Sequence, residues 1–139
     1  MTTTLPSILA MLNTLTGMGQ RLMLLSYARG SESGFYLETL EELRQRWNAM
    51  PETYQSGTDS RSAVAHFHFF LGSADWWIVE KDKDLDEEGQ LQAFGLASLG
   101  YGSPELGYIS LPEILAAGAE LDLHWTPKSL AEITGRCMA

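Results

Sequence analysis

The stretch AVAHFHFFLGSADWWIVEKD (residues 63–82) decides the fold of this chain of 139 residues. Its two halves, AVAHFHFFLG (63–72) and DWWIVEKD (75–82), are rich in the aromatic and β-branched residues that favour strands. Only a few residues around Gly72 separate them, which is the length of a hairpin connection. The stretch therefore predicts a β-hairpin.

Two more strands are predicted after the hairpin. The stretch LQAFGLASLG (91–100) follows the charged turn KDKDLDEEG (81–89), and ELGYISL (105–111) follows the turn GYGSP (100–104). Consecutive strands joined by short turns are typical of an antiparallel meander. We therefore predict a meander of about four strands.

Helical patterns precede the strands. A short helix is expected to start near Pro6, whereas residues 21–27 are compatible with either a strand or a continuing helix. Thr39 and Glu42 fit a capping box, in which each side chain satisfies a backbone donor at the helix start. A second helix is thus predicted to begin at Thr39 and to end before Pro51.

Two further helices are predicted after the strands. Ser110 and Glu113 fit a second capping box, and Thr126 followed by Pro127 is typical of the start of a last helix, which Gly135 would end. We expect an α+β fold, with the N-terminal and C-terminal helices packed on one face of the meander.

The length of the chain fits a single domain spanning residues 1–139. In this domain we assign residues 1–35 to an N-terminal helical segment and residues 36–62 to a helix and a connector. Residues 63–133 then contain the meander and the C-terminal helices.

Charge and cysteine content limit the classes of partner. The chain has 9 Lys and Arg against 18 Asp and Glu, a net charge of −9, so phosphate repulsion argues against direct nucleic-acid binding. Its single cysteine, Cys137, excludes an intramolecular disulfide and indicates a cytoplasmic protein. No apolar run reaches the roughly 18 residues of a membrane span, and no membrane partner or cofactor is expected.

His66 and His68 are the candidate metal ligands. On one regular strand they would share a face, about 7 Å apart along it, with His124 or Glu80 as a third ligand. The alternative is that they are surface or groove residues, which the sequence favours. No G-x-S-x-G, H-E-x-x-H or phosphate-loop motif indicates an enzyme. A metal-dependent hydrolase or nuclease built on His-x-His remains the alternative function.

Two adjacent tryptophans are the strongest aromatic signal. Trp76 and Trp77 point to opposite faces of one strand, so one would lie in the core. If the other is exposed beside His66, His68, Tyr108 or Trp125, it forms a binding patch, because aromatic residues are favoured interface anchors. The alternative, which we favour, is that helices or the N-terminal segment cover it.

The stretches FGLASLGYGSPELGYISLPEIL (94–115) and LDLHWTPKSLAEI (121–133) resemble a domain-of-unknown-function family numbered 2958, found in bacteria, phages and plasmids. The resemblance covers about residues 63–133. The corresponding residues here are Trp76, Trp77, Glu80, Phe94, Gly95, Leu96, Leu99, Gly100, Gly102, Pro104, Glu105, Leu106, Gly107, Tyr108, Ser110, Leu111, Glu113, Asp122, Leu123, His124 and Pro127.

The resemblance implies an accessory interaction module of a mobile genetic element, acting through a protein partner and conceivably against a host defence system. No catalytic residues are established for the family, so the resemblance transfers none to this chain. An inhibitor that imitates DNA would need carboxylates along one elongated face, whereas the acidic residues cluster at 38–42 and 82–88. We expect a monomer or a homodimer.

The shared motif contains one candidate constellation of polar residues. Glu105 and Tyr108 flank a glycine at a strand, and Asp122 and His124 have matching parity in the later segment. If the fold brings these four residues together, they either bind a ligand or lock a turn by hydrogen bonds. Locking is the interpretation that the glycines of the motif favour.

Overall fold

The computed structural model describes residues 11–27, 33–51, 63–81, 92–100 and 102–137. Residues 11–15 are the described part of helix α1, and the other helices are α2 (Met18–Tyr27), α3 (Ser33–Ala49), α4 (Leu111–Ala116) and α5 (Leu130–Cys137). The strands are β1 (Val64–Ala65), β2 (Phe67–Leu71), β3 (Ala74–Lys81), β4 (Gln92–Ser98), β5 (Glu105–Ser110), β6 (Glu120–Leu121) and β7 (Lys128–Ser129).

The main sheet is antiparallel and has five strands in the order β5-β4-β3-β2-β6. Strands β2 to β5 are neighbours in chain order, which confirms the predicted meander and the α+β class. The short β6 adds a fifth strand beside β2, and β1 pairs with β7 in a separate two-stranded ladder. In the described ranges, no helix combines the length and apolarity that crossing a membrane requires.

The hairpin predicted from residues 63–82 is present. Leu71 pairs with Ala74, so Gly72 and Ser73 form a two-residue connection, and Gly72 has a φ of 57° that a glycine adopts without strain. The register then places His68 opposite Trp77 and Phe69 opposite Trp76.

A β-bulge interrupts the pairing of β3 with β4. The register shifts between Ile78 and Glu80, and Gly95 lies opposite Ile78. A Cβ atom added to Gly95 would overlap the Trp77 carbonyl oxygen and lie 3.1 Å from the Cα atom of Ile78. Glycine at this position therefore lets the two backbones approach where β3 carries an extra residue.

Two clusters of buried side chains lie on the two faces of the sheet. Helices α1 to α4 cover the first face, where Phe67 and Phe69 are almost fully buried, each contributing roughly 1.5–3 kcal/mol. The first cluster contains Met11, Leu12, Leu15, Leu24, Leu40, Leu43, Met50, Phe67, Phe69, Trp76, Ile78, Ala93, Ile109, Leu111, Ala119 and Leu121.

The second cluster contains Ala63, Ala65, Trp77, Val79, Leu96, Leu130 and Ile133, with Trp125 packed against it. Leu130 and Ile133 belong to α5, so this C-terminal helix covers the face opposite to the other helices. The prediction placed all helices on one face. The second face of β3 and β4 is also apolar, at Trp77, Val79 and Leu96, and needs a cover of its own.

Two predicted helix starts are wrong. Helix α3 begins at Ser33, and Thr39 lies inside it, where its hydroxyl donates to the Phe35 carbonyl at 3.0 Å. A threonine hydroxyl can bond the preceding turn of a helix as readily as it caps one, so the Thr39–Glu42 spacing was not specific. Residues 21–27, which were compatible with strand or helix, lie in α2.

The last helix also begins later than predicted. Helix α5 starts at Leu130 rather than at Thr126, and it continues past Gly135 to Cys137. Ser129 and Glu132 form its capping box: the Glu132 N–H donates to the Ser129 hydroxyl at 3.2 Å, and the Ser129 N–H donates to the Glu132 carboxylate at 3.5 Å.

The helix start predicted at Ser110 is confirmed, because the Ser110 hydroxyl accepts from the Glu113 N–H at 3.3 Å. The helix start near Pro6, the connector at 52–62 and the acidic turn at 82–91 lie outside the described residues.

Candidate functional site

His68 lies between two carboxylates on the second face of the sheet. Its Nδ1 is 2.9 Å from Oδ2 of Asp122, and its Nε2 is 2.8 Å from Oδ1 of Asp75. The His68 side chain is 13 % exposed, whereas those of Asp75 and Asp122 are 35 % and 26 % exposed. The ring is therefore enclosed and the two carboxylates border solvent.

Aromatic rings enclose His68 on several sides. Its ring is stacked on Trp77, with centroids 5.4 Å apart and planes at 15°, and lies 5.2 Å from the Trp125 ring. The indole N–H of Trp125 donates to the Ala65 carbonyl at 3.0 Å, and Lys128 Nζ lies 5.0 Å from the Trp125 ring centroid. These contacts hold the Trp125 ring against the His68 ring.

Asp122 is positioned by the end of β6. Its N–H donates to the His68 carbonyl at 2.9 Å, and its Oδ1 accepts from the His124 N–H at 3.0 Å. The side chain thus forms a local turn while its second oxygen contacts the His68 ring. Asp122 was predicted as a site residue, and its partner in the structure is His68.

Asp75 is not among the site residues predicted from the sequence. The signal was present, because Asp75 lies two residues before Trp77, which pairs with His68 in the predicted hairpin. Residues offset by two across a strand pair lie on the same face, within reach of a long or aromatic side chain. The hairpin register alone would have identified this contact.

The polar side-chain atoms of His68 contact those of Asp75 and Asp122. A neutral imidazole has one donor, and an ionised carboxylate only accepts, so both contacts are hydrogen bonds when the ring is doubly protonated or one carboxyl is protonated. In the described residues, the two ring nitrogens of His68 contact Asp122 and Asp75, one each. The arrangement supports anchoring of residues 122–125 on the sheet.

His66 does not share a regular strand with His68. Ala65 lies in the second cluster and Phe67 in the first, although strict alternation would place both on one face. The chain breaks its alternation at His66, whose N–H donates to the Ile78 carbonyl at 2.8 Å. The expectation of two histidines on one strand face is therefore wrong.

Arg46 of α3 lies at His66. Its guanidinium donates to the His66 carbonyl at 3.4 Å and to the Trp125 carbonyl at 3.3 Å. Burial lowers the pKa of His66 from its usual value, and the positive charge of Arg46 lowers it further. His124, the third predicted ligand, is exposed. Within the ranges that the structure describes, no group of three or more His, Cys, Asp or Glu side chains could hold a metal ion.

Neither tryptophan of the Trp76–Trp77 pair is exposed. Trp76 is 9 % exposed in the first cluster, and Trp77 is 6 % exposed in the second. They do point to opposite faces, but each face is covered. The favoured alternative, a covered tryptophan, is thus correct, and the cover comes from α5 and Trp125 rather than from the N-terminal segment.

The constellation of Glu105, Tyr108, Asp122 and His124 is not assembled. Glu105 and Tyr108 belong to β5 at one edge of the sheet, whereas Asp122 follows β6 at the other edge. Four strand spacings of about 4.8 Å separate these edges by roughly 19 Å. Parity along a strand does not reveal which strands are neighbours.

Strand β5, at one edge of the described sheet, forms the second candidate site. In the described part of the chain, β5 pairs with β4 and with no other strand. Leu106 is 41 % and Tyr108 56 % exposed, and the Tyr108 ring meets Phe94 edge to face at 5.6 Å. A cavity of about 330 Å³ lies at the start of β5, lined by Ala97, Leu99, Gly102, Ser103 and Glu105.

A protein-family model matches most of the chain. The model of a family described as "Protein of unknown function (DUF2958)" matches residues 37–127, which include most of α3, the five-stranded sheet and α4. No curated protein and no solved structure matches the chain.

Proposed function

Since the chain belongs to the DUF2958 family of proteins of unknown function, whose description names no activity, we propose a function from its surface: it is a protein-interaction module that binds an extended segment of a partner along β5. The observation that carries this proposal is the difference between the two sheet edges. Strand β5 is a six-residue edge with exposed apolar side chains, and β6 is a two-residue edge.

The β6 edge is covered by another part of the chain. The Gln20 side chain of α2 donates to the Leu121 carbonyl at 2.9 Å and accepts from the Leu121 N–H at 2.9 Å. A side-chain amide thus occupies the position of a further strand. Short length and such covers are the usual protection of sheet edges against pairing with other chains.

Strand β5 forms the other edge of the described sheet. An exposed edge strand offers backbone donors and acceptors to an extended peptide, and its side-chain alternation supplies specificity. The net charge of −9 favours a basic partner and raises its rate of encounter. An accessory role in a mobile genetic element, directed against a host defence system, is the setting that we propose for this interaction.

Selection of short random peptides displayed on phage against the full chain tests the proposal. We expect Leu106→Lys to weaken binding of the selected peptides at least about tenfold, because a lysine on an edge strand obstructs pairing. Leu22→Lys is the matched control, since Leu22 is 61 % exposed on α2. Equal binding by the two variants would remove β5 as the docking edge.

The charge contribution has its own readout. Because an exposed acidic surface is screened by salt, binding of a basic peptide should weaken as the salt concentration rises from about 0.05 M to 0.5 M. Binding that does not depend on salt would mean that surface charge does not contribute and that only the apolar and backbone contacts of β5 hold the peptide.

A further inference from the structure

The register of β5 shows on which face of the sheet each of its side chains lies. Glu105 pairs with Ala97, which packs against the first cluster, and Ile109 is buried in that cluster. Leu106 pairs with Leu96 of the second cluster, and Tyr108 pairs with Phe94. Glu105 and Gly107 therefore lie on the first face of the sheet, and Leu106 and Tyr108 on the second.

The cavity at the start of β5 lies on the first face. Ala97 and Glu105 line it from the paired strands, and Leu99, which is 51 % exposed, lines it from the turn. A Cβ atom on Gly100 would overlap the Ser73 hydroxyl, so the turn backbone rests against the β2–β3 hairpin. The β2–β3 hairpin therefore supports the turn that forms one wall of the cavity.

Glu105 gives this cavity a negative charge beside an apolar wall. In the described ranges, Glu105 has no ion-pair partner. A lysine or arginine side chain combines an aliphatic stem with a cationic head, so it can place the stem on Leu99 and the head at Glu105. A carboxylate head would be repelled, and an apolar side chain would leave Glu105 partly desolvated without a partner.

On the basis of the proposed function, we propose that the docking segment carries a basic residue in the cavity and two apolar residues beside Leu106 and Tyr108. The sheet is antiparallel throughout, and an antiparallel sixth strand passes Tyr108, Gly107, Leu106 and Glu105 in that order. The segment therefore has the pattern apolar–any–apolar–basic from its N-terminus to its C-terminus.

Three synthetic peptides test this pattern by fluorescence anisotropy with the full chain. The first carries apolar–any–apolar–lysine, the second has glutamate in place of the lysine, and the third has the lysine moved by one position. A shift of one residue turns the lysine to the other face of the sheet. We expect the first peptide to bind about three- to tenfold more tightly than the other two.

Charge exchange at the cavity supplies the decisive comparison. Glu105→Lys should reverse the preference, so that the glutamate peptide binds more tightly than the lysine peptide. Glu120→Lys makes the same change of net charge at the opposite, exposed edge residue and should keep the preference for lysine.

The outcomes separate this inference from the function on which it rests. Peptides that bind in a Leu106-dependent way but show no lysine preference would overturn the cavity assignment and leave strand addition at β5 intact. A preference that Glu120→Lys reverses as well would assign the effect to net charge. If none of the peptides binds, both the edge and the cavity assignments are overturned.

Discussion

Gly95 is the residue whose identity the backbone determines most strictly. An added Cβ would overlap the Trp77 carbonyl oxygen, and both neighbouring backbones belong to paired strands that cannot separate without losing hydrogen bonds. We expect Gly95→Ala to lower the free energy of unfolding by about 3 kcal/mol. Urea denaturation of the purified variant measures this loss.

Gly107 is the matched control for that substitution. It pairs directly with Gly95 across β4 and β5, yet an added Cβ would meet nothing within 4 Å. Gly107→Ala should therefore change the free energy of unfolding by less than about 1 kcal/mol. Equal losses in the two variants would show that the bulge does not require glycine.

His66 should make stability depend on pH. Burial first, and the charge of Arg46 second, lower its pKa below the usual value of 6.5, so the unfolded chain binds a proton more readily than the folded one. The stability that this ring contributes is present above about pH 6.5 and is lost as the pH falls through the lowered pKa.

The variant His66→Gln tests this linkage. We expect it to lose less stability than the parent chain between about pH 7 and pH 5, as measured by urea denaturation at several pH values. Arg46→Met removes only the second cause, so its pH dependence should be intermediate. An unchanged pH dependence in His66→Gln would mean that His66 binds protons equally in both states.

The two carboxylates at His68 should differ in their contribution to stability. Asp122 contacts the ring and also accepts the His124 N–H, whereas Asp75 contacts the ring alone and is more exposed. We expect Asp122→Ala to cost about 1–3 kcal/mol and Asp75→Ala less than about 1 kcal/mol. Thermal and urea unfolding would detect the reverse order if it occurred.

The sequence predicted the members of this cluster better than their arrangement. His68, Trp77, Asp122 and Trp125 were all candidate residues, but His68 and Asp122 are 54 positions apart. Periodicity is a local signal, and the neighbours of a strand depend on the chain's topology. Glu105 and Tyr108 were consequently grouped with Asp122, which lies across the whole sheet from them.

At the scale of elements, the capping box of α5 gives a prediction. Ser129 accepts from the Glu132 N–H and donates to its carboxylate at 3.2 Å. Ser129→Ala should cost about 1 kcal/mol. Thr126→Ala, at the helix start expected from the sequence, should change stability by less than about 0.5 kcal/mol. Urea midpoints in the opposite order would favour the earlier helix start.

The elements that the sequence predicted well are those with strong local signals. Strands β2 to β5 have at least five residues each, and the sequence between consecutive strands contains glycine. Strands β1, β6 and β7 have two residues each, which is too few to show a period of two. They form because a partner strand is nearby, and a single sequence does not reveal which strands become neighbours.

For the whole molecule, β3 is the most enclosed element. It pairs on both sides, and its residues contribute to the clusters on both faces, with Trp76 and Ile78 on one and Trp77 on the other. Amide hydrogen exchange should therefore be slowest in β3, through global unfolding, and faster by orders of magnitude in β5. Exchange measured by NMR or mass spectrometry that is equally slow in β5 would mean that its edge is protected.

The second face of the sheet depends on residues that follow strands β2 to β5 in the chain and are synthesised after them. Asp122 reaches His68 across 54 positions, and Trp125 reaches Ala65 across 60. These two contacts close nested loops of the chain. Once one of them forms, the other has only a short loop left to close, so its additional cost in loop-closure entropy is small. Until residues 120–137 have been synthesised, however, Trp77, Val79 and Leu96 lack this cover. We therefore expect the nascent chain to expose an apolar sheet face until residues 120–137 dock on it.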